Sequence, residues 1–284
     1  MKDQRNPDAD DGSRPALHRY AQGLIAVGAV LRIAQYAFNR SLWLDEASLA
    51  MNIVGRSFQQ LTQPLSYGQG APLAFLTIEK AVTQVFGAGE YALRLFPLGA
   101  GLLSLWVFDR VARRVLLPAA HLFGLALFAT LDPLIYFSSE LKQYSSDVMV
   151  ALLLLWMALH VERRRFDYAA LVLATGVGAA AIWFSHPAVF VLAGIGSTWF
   201  VSRLRQKQWR GALALAGVGS LWVGSFVASY EVTLSNLIVS PELQSFWSNK
   251  FVLEGSATPG LSFLIHSDLA LAIPMLTGVF LLRS

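Results

Sequence analysis

No cysteine occurs anywhere in these 284 residues, which excludes disulfides, thiolate catalysis and cysteine-held metal while leaving the redox compartment open. Charge is scarce too: Asp, Glu, Lys and Arg make up 14% of the chain, against roughly 25% in soluble domains. No short basic stretch runs into a small-residue cleavage site ahead of the first apolar segment, so that segment is expected to be an uncleaved anchor. What fills the chain instead is apolar. Hydrophobic residues reach 55%, with eight Trp and eighteen Phe, a supply suited to lipid-facing and interfacial helix surfaces. The composition predicts an all-α integral membrane protein. Its formal charge of +4 then bears on topology, and no nucleic-acid partner is expected.

Residues 1–19 are polar, carry both charge signs and hold two prolines, which predicts a disordered cytoplasmic tail ahead of a membrane domain over 20–284. Crossing the hydrocarbon core takes about 20 apolar residues. Seven stretches meet or approach that, at about 20–38, 91–109, 116–137, 148–160, 168–185, 187–202 and 211–229, and a shorter eighth lies at about 268–282. The stretch 71–86 would reach only about 24 Å as a helix, and it contains Glu79 and Lys80. The distribution of positive charge decides against it as a span. With 71–86 outside the bilayer and the N-terminus cytoplasmic, fifteen Lys and Arg fall inside, including the runs Arg163, Arg164, Arg165 and Arg203, Arg205, Lys207, Arg210. Counting 71–86 as a span would throw those runs outside. A polytopic helical bundle of about eight spans follows. Its outer face receives a first loop over about 39–90, a second around 138–147, a tight turn at Ser185, His186 and Pro187, and a last loop at about 230–267. Asp132 followed by Pro133 predicts a bend near the outer end of the third span.

Acidic and polar residues concentrate on that outer face. Over 44–58, Leu44, Ala47, Met51, Val54 and Phe58 recur at helical spacing, with Asp45, Ser48, Asn52 and Arg56 on the other side. This predicts an amphipathic helix in the membrane interface, its polar stripe toward water or a cavity. Asp45 and Glu46 open that helix, where acidic residues can simply complement the helix dipole. Pro64, Gly68, Gly70 and Pro72 then break the backbone, and irregular backbone beside a membrane belongs where it lines a cavity or is buried in protein. In the second loop, "YFSSELKQYSSD", Glu140, Tyr144 and Asp147 share a face if the segment is helical. If it is extended or turning, Glu140, Lys142 and Tyr144 do. His186 has no second histidine nearby, so a capping or interfacial role is expected and no metal is assigned. The neighbours Glu79 and Lys80 would face different ways on a helix and read as structural.

Four pieces in order, "WLDEASLA", "QGAPLAFLTIEKAVTQVFGAGEYALRLFP", "SSELKQYSSD" and "WFSHPAVF", resemble the polytopic glycosyltransferases of the GT-C fold. These enzymes use polyprenyl-phosphate sugars and include protein O-mannosyltransferases and the bacterial aminoarabinose transferases that modify lipid A. The resemblance covers most of residues 20–200. It implies inverting transfer of a monosaccharide from a polyprenyl-phosphate carrier to a lipid, glycan or protein acceptor on the periplasmic face of a bacterial inner membrane. No cofactor is implied. By resemblance Asp45 is the catalytic carboxylate that takes the acceptor's proton, with Glu46 beside it. Lys142, Arg94 and Tyr144 are by resemblance the groups for the donor phosphate, whose charge grows as it leaves. Glu140, Gln69 and His186 are further site candidates.

Two departures from the family stand out. Aminoarabinose transferases carry a lysine before a double proline in the first loop, where this chain has Gln69, Gly70, Ala71 and Pro72. Family members also have further spans and often an outer domain, so this chain, stopping at "VFLLRS", is expected to be truncated. The alternatives are a membrane scaffold without turnover and a transporter or flippase. Span centres nearly free of charge weigh against the transporter.

Overall fold

A computed structural model describes residues 13–235. The expected eighth span, most of the last outer loop and residues 1–12 of the tail lie outside them. Among the described residues every regular element is helical. In chain order these are α1 (Ser13–Ala37), α2 (Leu44–Gly55), α3 (Leu73–Phe86), α4 (Glu90–Leu93), α5 (Leu95–Val115), α6 (Pro118–Thr130), α7 (Asp132–Tyr136), α8 (Tyr144–Arg163), α9 (Tyr168–Phe184), α10 (Ala188–Arg205) and α11 (Trp209–Thr233). Short 3-10 turns follow α2 and α7. Helix α1 starts inside the segment expected to be disordered. His18 meets Arg113 of α5 there, Nδ1 to Nη1 at 3.1 Å.

Three helical segments among the described residues are long and apolar enough to cross a bilayer: Glu90–Val115, Tyr144–Arg163 and Trp209–Thr233. A fourth crossing results if α6 and the segment Asp132–Ser139, bent by 55° from it, count together. Helices also occupy the remaining expected spans, but α9 is shorter and α1 carries Gln22, Arg32 and Gln35 along its length. Helix α3 has 14 residues, about 21 Å, well short of a hydrocarbon core of about 30 Å. Gly87 stops it with φ +87°, a left-handed backbone that suits glycine, and donates its N–H to Thr83 O at 3.0 Å.

The bend between α6 and α7 has a local cause and a distant remedy. Leu131 is extended and Pro133 has no N–H, which leaves the carbonyls of Phe128 and Ala129 without helical donors. Arg32 of α1 supplies them. Its Nη2 donates to Phe128 O at 3.1 Å, and its Nη1 to Ala129 O at 3.1 Å and Gly28 O at 3.0 Å. The guanidinium is 1% exposed, so a charge inside a helix bundle is tolerated by spending its donors on backbone.

Helices α8 to α11 share one core, with Leu154, Ile182, Leu192, Trp199 and Trp222 in its centre. Trp222 donates Nε1–H to Ala174 O at 3.1 Å and packs against Gly178, where a Cβ would overlap its indole. At Gly176, two residues earlier, a Cβ would meet nothing. Gly178→Ala should therefore lower the melting temperature, since overpacking costs about 1–3 kcal/mol. Gly176→Ala should hold or raise it by its better helix propensity, up to about 1 kcal/mol. Thermal unfolding of the two variants checks this, and equal melting temperatures would count against the packing.

A second core is built by Leu49 and Ile53 of α2, Phe75 and Leu76 of α3, Leu93 of α4, and Leu141 from the segment before α8. The segment between α1 and α5 and the one before α8 therefore pack together. Helix α2 presents its apolar stripe outward: Leu44, Met51, Val54 and Phe58 are exposed, as is Trp43 just before it. Of its polar stripe, Ser48 and Asn52 turn inward while Asp45 stays exposed. Buried Asn52 pairs with the backbone of Ser66, donating to its O at 3.2 Å and accepting from its N at 2.8 Å. Arg56 gathers the carbonyls of Gln60 and Pro64 and the Ser66 hydroxyl. These contacts hold the irregular segment that leads to Gln69.

Candidate functional site

Glu46 organises this second packed layer. It sits in the first turn of α2, 0% exposed, and Oε2 accepts the N–H of Trp43 at 3.0 Å. Arg94, at the junction of α4 and α5 and 1% exposed, reaches it with Nε and Nη2 at 3.1–3.2 Å. The backbone N–H of Leu141 donates to Oε1 at 2.8 Å. Arg94 also donates to Arg40 O at 2.6 Å. One buried ion pair thus ties the end of α1, the start of α2, the start of α5 and the second loop together.

That clamp decides what flanks Leu141. The second loop turns rather than continuing as helix: Glu140 is extended, Lys142 N–H returns to Glu140 O at 2.7 Å, and α8 starts only at Tyr144. Glu140 and Lys142 therefore stand on either side of a buried leucine. Lys142 donates to Gln69 Oε1 at 2.8 Å, joining the two loops once more. Burial pulls its ammonium below the ordinary lysine range, while Asp45, Glu140 and Glu46, all within electrostatic reach, oppose the shift. Glu140 is pushed up, first by burial and then by Glu46, against the pull of Arg40, Lys142 and Arg94. Its Oε2 is enclosed and has no hydrogen-bond partner in the protein.

Asp45 differs from its neighbour in every respect. It is exposed, and its charge acts on both Lys142 and Tyr144. Tyr144 is partly exposed and also feels Glu140 and Asp147. Its ring packs on Phe137 at 4.8 Å between centroids, and Phe137 packs edge-on against Tyr136 at 5.5 Å. Arg40 lies over Tyr136, 4.1 Å from the ring centroid, and donates Nη1–H to its hydroxyl. Its Nη2 stops 3.7 Å from Glu46, and Nε and Nη2 have no hydrogen-bond partner.

The structure thus gathers Asp45, Gln69, Glu140, Lys142 and Tyr144 into one cluster. Glu46 and Arg94 lie directly beneath it, sealed from solvent and spent on each other. Both are expected by resemblance to act in the site with Asp45, and both are found buried in one ion pair. His186 lies in the turn between α9 and α10. It pairs through Nε2 with Thr233 Oγ1 of α11 at 3.2 Å, and burial lowers its pKa. Arg40 is the residue that sequence reading left out of the cluster. Nothing local marks it, because its aromatic partner is 96 positions away.

Glu79 and Lys80 do face different ways. Lys80 Nζ donates to Val54 O at 3.0 Å near the end of α2, while Glu79 is 0% exposed with both oxygens unpartnered. Burial raises the Glu79 carboxyl well above its ordinary 4.5. A carboxyl raised in the folded state adds stability that is whole below the unfolded value and lost as pH climbs through the folded one. Glu79→Gln should flatten the fall in melting temperature toward alkaline pH. A variant whose curve tracks the original would refute a neutral buried carboxyl.

Among the described residues no three His, Asp or Glu are placed to hold a metal ion. No family model, no curated protein and no solved structure matches this chain. The functional reading accordingly rests on the residues themselves.

Proposed function

We propose that this chain is a multi-pass membrane glycosyltransferase, of about eight spans with a cytoplasmic N-terminus. In this reading it moves a monosaccharide from a polyprenyl-phosphate carrier to a hydroxyl acceptor on the outer face of a bacterial inner membrane. The observation that carries the reading is the division of labour in the adjacent pair: Glu46 is locked on Arg94, while Asp45 stands exposed within electrostatic reach of a half-buried lysine and a tyrosine. As the acceptor oxygen attacks the anomeric carbon, Asp45 takes its proton. The bond from that carbon to the phosphate oxygen breaks, and the polyprenyl phosphate leaves with the electron pair. Lys142, oriented by Gln69, offsets the growing negative charge, and Tyr144 donates to a phosphate oxygen.

The outward apolar stripe of α2 supports the location. Trp43, Leu44, Met51, Val54 and Phe58 would sit in the outer leaflet's interface, which puts Asp45 at the level where a lipid-borne sugar meets water. Arg32 weighs against a transport reading, since its donors are fixed on backbone carbonyls across the α6–α7 bend. Membranes containing the chain, supplied with radiolabelled polyprenyl-phosphate sugars, should release label from at least one carrier. Folded chain that consumes none of them would overturn the reading in favour of a scaffold.

A further inference from the structure

At the opposite end of α9 from the His186 turn, one connection joins α8 to α9 and another joins α10 to α11. Around them, residues 162–167 and 203–210 hold seven Arg and Lys, with Glu162 and Asp167 as the acids. Both acids are engaged. Glu162 accepts Trp199 Nε1–H at 3.1 Å, while Asp167 caps α9 by accepting the N–H of Ala170 at 2.7 Å and stands 3.7 Å from Arg164. Neither pairs with Arg165 or Arg203, so this end of the bundle keeps a surplus of positive charge.

Those two arginines line one pocket of ≈ 110 Å³, together with Phe166, Leu171, Gly211 and Leu215. The Arg203 guanidinium lies over the Phe166 ring, 4.2 Å from its centroid, and that ring packs edge-on against Trp199 at 5.2 Å. Nη1 of Arg203 donates to the Gln208 side chain; its other N–H groups and all those of Arg165 have no hydrogen-bond partner among the described residues. Helix α8 closes with Arg165 N–H on Glu162 O at 3.0 Å and Phe166 N–H on Val161 O at 3.1 Å, the paired bonds of a left-handed helix end. Arg165 takes φ +53° there, at the position where glycine is the usual choice. The pocket is thus one part cation and one part apolar wall. It is also smaller than the roughly 300 Å³ at which pockets for whole small molecules begin, which suits the head of a larger amphiphile.

Its level in the membrane follows from the helices around it. Segments Tyr144–Arg163 and Trp209–Thr233 are long and apolar enough to cross a bilayer, and the pocket sits where the first has ended and the second begins. Tyr168 and Trp209, the first residues of α9 and α11, are 84% and 66% exposed there, as aromatic residues at a membrane interface are. We propose that this pocket binds an anionic phospholipid. Its phosphate oxygens accept from Arg165 and Arg203, and its glycerol and upper acyl chain rest on Leu171 and Leu215. A zwitterionic headgroup would bring its own cation among seven others, so net negative charge is what the site selects. The proposal requires that α8 and α11 span the membrane and does not depend on the glycosyltransferase reading.

Native mass spectrometry of the full chain in detergent, titrated with phosphatidylglycerol or phosphatidylcholine of the same acyl chains, tests it by counting the lipids that stay bound. The original chain should hold one phosphatidylglycerol at least about tenfold more tightly than phosphatidylcholine. Arg165→Gln with Arg203→Gln should remove most of that preference. Arg163→Gln with Arg205→Gln takes the same charge from exposed residues outside the pocket and should keep it. Equal retention of the two lipids, or equal loss in both double variants, would overturn the site and leave only diffuse surface charge. Gly211→Leu separates the pocket from its charges, since a Cβ there lies 3.5 Å from Arg203 Cδ, an ordinary contact, and the longer side chain crowds the space. It should weaken phosphatidylglycerol retention with every arginine in place, and retention equal to the original's would refute the proposal. Inorganic phosphate that binds as tightly as phosphatidylglycerol would also overturn it, by assigning the pocket to a free anion.

Discussion

Asp45→Asn should leave the fold intact and lower sugar transfer by at least about 10²-fold, the scale of a lost general base. The side chain is exposed and isosteric with its replacement, so the structural cost is confined to a weaker helix-dipole interaction, about 0.3–1 kcal/mol. Its neighbour would behave in the opposite way, because Glu46 is held by three separate donors and its loss would disorder the loops. Initial rates of label transfer, measured beside melting temperatures, separate the two effects. An Asp45→Asn chain that keeps more than half the original rate would sink Asp45 as the base.

Arg94→Met should be the most destabilising of these changes. Removing one partner of a buried ion pair leaves the other charge stranded, at about 3–5 kcal/mol, which lowers a melting temperature by roughly 6–20 °C in a chain of this size. Arg94 also donates to Arg40 O, so the end of α1 loosens with it. Adding Glu46→Leu to Arg94→Met should recover part of the loss, since apolar replacements of a buried pair are often neutral. Thermal unfolding of the single and double variants distinguishes this from a phosphate contact. An Arg94→Met chain as stable as the original, with only a raised KM for the carrier, would show that the arginine serves the donor instead.

Much of this architecture follows from local pattern. Hydropathy along the chain marks where helices form, Pro133 marks the bend after α6, and the three-and-four spacing from Leu44 to Phe58 marks α2. The cluster was legible in part, because Asp45, Gln69, Glu140, Lys142 and Tyr144 all fall in the two polar segments that interrupt the apolar stretches. Arg40 was not, since its place depends on Tyr136 and Glu46, contacts that no spacing rule encodes.

The adjacent carboxylates mark the boundary between the two kinds of information. Residues one apart on a helix point about 100° from each other, so the helix that the spacing predicts turns Asp45 and Glu46 in different directions. Which of them is buried is a tertiary decision. Arg94 is 48 positions from Glu46 and Leu141 is 95, and only packing of α2 against α5 and the second loop brings their donors to one carboxylate. Hydrophobic periodicity is a property of neighbouring residues and can be read along the chain. Hydrogen-bond partners of a buried charge are set by the whole fold, because desolvation is tolerable only where distant donors converge.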